Sequence, residues 1–217
     1  MRNLFFLFLF IMLASNVYAQ PQITETTIIR QVYVNNLDKK EENIAGSKYF
    51  DDAFSSAKVN GGTGDFDIRY NAFLDIMEYK SEKGLVELLK ENNTSFKFSN
   101  GDVYELFNYS LKGTPVSRYQ QVLVDTNGVK ISLFKSIKFN KAQPAASSYQ
   151  TDVPANYKAL KDQLFITFGG NTVPFDGKQK SLEEVFPAKA DVIKKFYKEH
   201  KVKDTDLTKL TDLFATF

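Results

Sequence analysis

Apolar and polar residues alternate with a period of two along several stretches of this chain. The clearest stretch runs from Phe66 to Tyr79, where Phe66, Ile68, Tyr70, Ala72, Leu74 and Ile76 fall on one face and Asp67, Arg69, Asn71 and Asp75 on the other. This pattern predicts one strand with a buried face and a mostly wet face, the latter diluted by Phe73, Met77 and Tyr79. Residues 23–34 are rich in β-branched types and predict an earlier strand, with a polar loop over 35–46. Two hairpins follow, because Asn-Gly favours the type I′ turn whose twist matches its flanking strands. One joins 96–98 to 103–109 through Asn100-Gly101, and the other joins 119–124 to 129–139 through Asn127-Gly128. A third is predicted around Gly169-Gly170-Asn171, after the apolar run 164–168. Residues 140–157, with Pro144 and Pro154, predict a long connection.

The period changes after Gly177. Ser181-Leu182-Glu183-Glu184 reads as a capping box that starts a short helix stopped by Pro187. A second helix is predicted over about 188–200, with Ala190, Ile193, Phe196 and Tyr197 at helical spacing. A third starts near Asp204 and carries Leu207, Leu210, Leu213, Phe214 and Phe217 as its stripe. The expected fold class is α+β. It is a curved, mostly antiparallel sheet or partly open barrel of about 8–9 strands, followed by two to three C-terminal helices that bury their stripes on it.

The N-terminus changes the organisation of the chain. One positive charge at Arg2 precedes an apolar run from Leu4 to Ala14, and Val17-Tyr18-Ala19 ends in a small residue before Gln20-Pro21. That layout predicts a secretory signal peptide over 1–19, cut after Ala19. The run is shorter than the about 20 residues a membrane-spanning helix needs. The expected mature chain, 20–217, is one globular domain with a β-rich part over 20–177 and a helical ending over 178–217. Its expected location is periplasmic, outer-membrane-associated or secreted.

Composition narrows the chemistry. The chain has 28 Lys+Arg against 26 Asp+Glu, and the leader removes only Arg2 from that balance. A near-neutral protein has no general electrostatic pull toward nucleic acid. With no cysteine there is no thiol nucleophile, no thiolate metal site and no lipidated N-terminal cysteine. His200 is the single histidine, so a two-histidine zinc site cannot form within one chain. No cofactor is expected.

Each candidate site has a plainer structural reading. Asp125-Thr126-Asn127-Gly128 resembles a calcium-loop fragment, but the bidentate Glu of such a loop is missing and the hairpin turn is favoured. Asn60-Gly61-Gly62-Thr63-Gly64 lacks the Gly-Lys-Ser/Thr ending of a phosphate loop and precedes a strand. Asp51 with Asp52, Asp65 with Asp67, and Glu183 with Glu184 are the carboxylate pairs available for acid/base hydrolysis. His200 sits at a helix end, where the dipole favours a cationic ring. Lys194, Lys195, Lys198, Lys201 and Lys203 are interrupted by acids and read as a solvated helix face. The abundant aromatics, 20 Phe and 11 Tyr, fit a filled core, with a pocket for an apolar ligand as the alternative. The terminal Phe217 resembles the ending of outer-membrane barrels, but charges spread along every strand disfavour one.

Several segments resemble a group of uncharacterised exported β-rich proteins of Bacteroidota. They are Gly46-Ser47-Lys48-Tyr49-Phe50, then Ile68 to Glu78, and at the C-terminal end Phe186-Pro187, Ile193 to Phe196 and the Leu207 helix. The resemblance implies a Gram-negative envelope and carries no chemistry with it. The expected function is therefore a non-catalytic binding or structural protein of the envelope, whose partner is another envelope protein or an apolar small molecule. The alternatives are a carrier of an apolar ligand inside a barrel-like body and a carboxylate-based hydrolase. No site residue is singled out.

Overall fold

The computed structural model describes residues 44–217, apart from 83, 146, 148, 150, 204 and 205. The predicted leader and the predicted strand over 23–34 lie outside the described residues.

Among the described residues there are twelve strands and three α-helices. The strands are β1 (Ser55–Val59), β2 (Phe66–Asn71), β3 (Ile76–Ser81), β4 (Gly84–Leu88), β5 (Ser95–Phe98), β6 (Val103–Leu111), β7 (Thr114–Thr126), β8 (Val129–Phe134), β9 (Ile137–Asn140), β10 (Asn156–Ala159), β11 (Gln163–Phe168) and β12 (Asn171–Phe175). The helices are α1 (Gln179–Val185), α2 (Ala190–His200) and α3 (Leu207–Phe214). Ten strands form one open sheet in the order β12-β11-β8-β7-β6-β5-β1-β2-β3-β4, while β9 and β10 pair separately. All these strand pairings are antiparallel. The α+β class is as expected, but the strand count exceeds the expected number.

The extra strands have identifiable origins. The stretch 66–79 is a hairpin, β2 and β3, with Ala72–Asp75 as its turn. No glycine or proline marks that turn; the Asn71 side chain accepts from the N–H groups of Phe73 and Leu74, and Asp75 adopts φ 55°. The turn also resets the side-chain parity. Met77 and Tyr79 pair opposite Tyr70 and Ile68 and join the core face, while Arg69 pairs with Glu78 on the other. The stretch 129–139 is likewise two strands, because the chain leaves the large sheet at Lys135-Ser136 and β9 pairs with β10 instead. The connection read over 140–157 gives way to strand at Asn156, where β10 begins. The three predicted hairpin turns at Asn100-Gly101, Asn127-Gly128 and Gly169-Gly170 are present.

Three apolar clusters each draw on the long strand β7, and two of them also on β6. One lies among β1–β7 and contains Ile68, Met77, Phe96, Leu106 and Tyr119. A second, with Phe107, Tyr109, Phe134 and Phe165, occupies the opposite face, where the sheet curls and brings β12 near β6. The third holds the helices. Leu182, Ile193, Leu210, Leu213 and Phe214 pack on Val124, Val129, Ile131 and Ile166 of the sheet. The helical stripes are thus buried on the sheet, as their 3.6-residue spacing requires.

Two helix starts differ from expectation. Ser181 is inside α1 rather than at its N-cap, and its hydroxyl donates to Asp176 instead. The N-cap of α3 is Asp206, whose carboxylate accepts from the Lys209 backbone N–H at 3.2 Å. Phe217 lies beyond α3 and packs on Phe186 and Phe214.

Candidate functional site

The face of β2 expected to be wet is covered at Arg69 and Asn71. Residues 44–54 cross it and bury a polar constellation beneath them. Arg69 on β2 and Glu78 on β3 are directly opposite, with side chains 9% and 0% exposed. Arg69 donates from Nε and Nη2 to Glu78 Oε2 at 2.9 and 2.7 Å. Asn71 Nδ2 donates to Oε1 at 2.7 Å, and Tyr49 Oη lies 3.2 and 3.0 Å from the two carboxylate oxygens. A buried carboxylate is tolerated only with such a donor set. The Arg69 guanidinium also sits 3.9 Å from the Tyr49 ring centroid and 4.3 Å from that of Phe54, and its Nη1 donates to the Asp52 carbonyl at 3.0 Å. Lys48 O accepts from the N–H groups of Ala72 and Phe73. These bonds pin residues 48–54 to the sheet.

What they pin is the rim of a recess of about 100 Å³. Phe50, Asp51, Tyr70, Phe98, Asp102 and Tyr104 contribute to its lining. Phe98 and Tyr104 belong to the Asn100-Gly101 hairpin, and their rings meet edge to face at 5.7 Å between centroids. Tyr70 extends the row at 5.4 Å from Tyr104. Phe50 remains 47% exposed. Asp102 is fixed at both oxygens by neutral amides, from Gln121 Nε2 at 2.8 Å and Asn100 Nδ2 at 2.9 Å. Burial pushes the Tyr104 hydroxyl up to about 12, with the Asp102 charge adding to the effect. Burial also raises Tyr70, whose hydroxyl donates to Asp75 at 2.9 Å. Both phenols therefore stay neutral at ordinary pH.

The residues considered from sequence are scattered. Asp65 is exposed and pairs with Lys58, while Asp67 points to solvent. Asp52 accepts from Ser47 Oγ, and neighbouring Asp51 turns its carboxylate to the Ala53 N–H. Glu183 accepts from Gln179 and Glu184 lies beside Lys180. His200 is exposed and stacks on the half-buried Phe196 at 4.2 Å between centroids. Lys194 and Lys195 each lie 4.0 Å from a glutamate. Asp125 pairs with Lys130, and Asn127-Gly128 is the β7–β8 turn. Asn60 and Gly61 turn the chain after β1. Among the described residues, no group of three metal-ligating side chains comes together.

Sequence reasoning missed the recess. The alternation of Phe98, Asn100, Asp102 and Tyr104 across one hairpin was a local signal for part of it. Phe50 and Tyr70 reach it only through tertiary contacts. A recess this small is below the roughly 300–1,000 Å³ of ordinary small-molecule sites, so it gives a carrier of bulky apolar cargo no support.

The fold and recess define an α+β protein built on an open antiparallel sheet with a surface depression lined by aromatic and polar side chains. Compared with known protein families, with curated proteins and with solved structures, the chain matches none. No helix among the described residues is long and apolar enough to cross a membrane.

Proposed function

We propose that the protein is exported and acts by binding rather than by catalysis, with the recess beside Phe50 as its ligand site. The leader-like composition of residues 1–19 supports export, and the resemblance to exported Bacteroidota proteins agrees with it. The observation that carries the binding role is the mount of Phe50. A half-exposed aromatic ring is held by a segment that a fully buried carboxylate, Glu78, fastens to the sheet. Exposed aromatic side chains on rigid supports are favourable contact points, because little conformational entropy is lost on binding. Glu78 itself is saturated with donors and sealed from solvent, so it is unsuited to proton transfer.

Three measurements test this. Mass spectrometry of protein recovered from the envelope should give a mature N-terminus at Gln20; retention of residues 1–19 in a cytoplasmic pool would overturn export. Envelope components retained on immobilised protein should then titrate saturably against the wild type in purified form and lose affinity on Phe50→Ala. Turnover of a glycoside or peptide substrate that disappears in Asp65→Asn or Asp67→Asn would replace binding with hydrolysis.

A further inference from the structure

We propose that the recess takes a small organic cation, an ammonium group carrying methyl substituents. This deepens the binding role given above and rests on it. Aromatic faces attract cations through their ring quadrupoles, and rings gathered around a small depression are the established way to hold an alkylated ammonium. Here Phe50, Tyr70, Phe98 and Tyr104 contribute to the lining of about 100 Å³, room for a group of trimethylammonium bulk.

The charges at the recess have the complementary sign. Asp51 and Asp102 both line it, and Asp162 lies close enough to Tyr104 to act on its hydroxyl. The side-chain bonds to Asp102 come from two neutral amides, so they orient its carboxylate without neutralising it. Arg69 also lines the recess, but its guanidinium is bound to Glu78 and stacked between Tyr49 and Phe54. An anionic ligand would meet two carboxylates. A purely apolar ligand would strip water from them without return. An alkylated ammonium satisfies both the rings and the carboxylates, and its methyl groups need no hydrogen-bond acceptor.

One cation already tests the rim. The Lys135 ammonium lies 5.5 Å from the Phe50 ring centroid. It uses that ring as a cation would, and it opposes a second positive charge there.

The experiment is isothermal titration of the protein, as purified from expressing cells, with choline and with 3,3-dimethylbutanol, which replaces the nitrogen by carbon. Choline should bind saturably and the neutral isostere at least about tenfold more weakly, the scale of one or two desolvated cation–π contacts. Phe50→Ala and Asp102→Asn should each weaken choline about 5- to 30-fold, and Lys135→Gln should strengthen it. Phe168→Ala, a half-exposed ring on the distant β11–β12 hairpin, should change nothing. Circular dichroism confirms that each variant is folded before titration. Vesicles of phosphatidylcholine and of phosphatidylglycerol separate the sources: binding to phosphatidylcholine alone assigns a lipid headgroup, and binding to free choline but neither vesicle assigns a soluble cation. Equal binding of the isostere, preference for a neutral sugar, or no saturable choline binding overturns the cation. If choline fails while an envelope component still binds and depends on Phe50, the binding role stands and only the ligand class falls.

Discussion

The carboxylate of Asp75 accepts a hydrogen bond from the backbone N–H of Tyr119 at 3.1 Å, across 44 residues of sequence. Tyr119 is on β7 beyond the reach of β8, whose pairing with β7 begins at Gln121. Lys90 completes the arrangement, with its ammonium 2.5 Å from Asp75 and 3.0 Å from the Ser117 carbonyl. An ion pair thus covers backbone groups of β7 where no strand does, and it joins the β2–β4 end of the sheet to its middle. Asp75→Ala leaves the Tyr119 N–H, the Tyr70 hydroxyl and Lys90 without that acceptor. The expected loss is about 2–3 kcal/mol in urea unfolding, with increased hydrogen exchange at the Tyr119 amide.

The same carboxylate sets a pH dependence with an unusual sign. Burial raises the Asp75 pKa, outweighing the lowering effects of Lys90, Tyr70 and the Tyr119 N–H. A folded pKa above the unfolded one means that the folded state holds the proton more tightly. The contribution is therefore full below the unfolded value and is lost as pH rises through the folded one. Asp176 behaves oppositely. Hydrogen bonds from Ser181 and the Lys178 N–H lower it to about 2, so its contribution is present above the ordinary aspartate range and is lost as pH falls toward 2. Unfolding measured from pH 2 to 7 should show the Asp75→Asn variant without the first slope and Asp176→Asn without the second. Identical pH profiles for all three proteins would contradict both assignments.

Removing one partner of the Arg69–Glu78 pair leaves a buried charge without its counterpart. Arg69→Met and Glu78→Leu should each cost about 3–5 kcal/mol, whereas the double variant Arg69→Met/Glu78→Leu should cost less than the sum. A double-mutant cycle in urea checks this. Additive costs would mean that the two groups act independently.

Gly46 is required by space and by backbone conformation together. Its φ is 84°, and a Cβ would lie 2.3 Å from the Tyr157 carbonyl oxygen. The adjacent Ala45 pairs with Asn156 at the edge of β10. Gly46→Ala should therefore destabilise by more than about 2 kcal/mol. Limited proteolysis within 44–54 should speed up at the same time, because the segment loses its anchor.

Asn127 has two duties that can be separated. Its φ of 49° suits the β7–β8 turn, and its Nδ2 donates to the carbonyls of Phe214 and Ala215 at the end of α3. Asn127→Gly keeps the turn and removes the cap, for an expected cost of about 1 kcal/mol. Asn127→Ala removes both and should cost about twice that, read as a lower melting temperature.

Local turn chemistry and periodicity were legible in advance. Asn100-Gly101, Asn127-Gly128 and Gly169-Gly170 place their hairpins, because the turn conformation is decided by residues adjacent in sequence. The stripes of α2 and α3 likewise appear as spaced apolar residues that need a surface to cover. The turn at Ala72–Asp75 was not legible, since no glycine or proline marks it and its left-handed residue is held not only by neighbouring Tyr70 but by Lys90 and Tyr119, which are remote in sequence. Nor was the recess, because Phe50 and Tyr70 approach Tyr104 only after β1 inserts between β2 and β5.

The sequence by itself determined the class of the molecule: where alternation and Asn-Gly turns fold back on each other, where helical spacing takes over, and which cysteine and two-histidine chemistries are out of reach. The tertiary structure alone decided which polar residues are buried. Arg69 and Asn71 read as solvent-facing positions of an ordinary strand until residues 48–54 cross over them. Periodicity reports the two sides of a strand, but whether the second side meets water depends on a segment that local sequence does not contain.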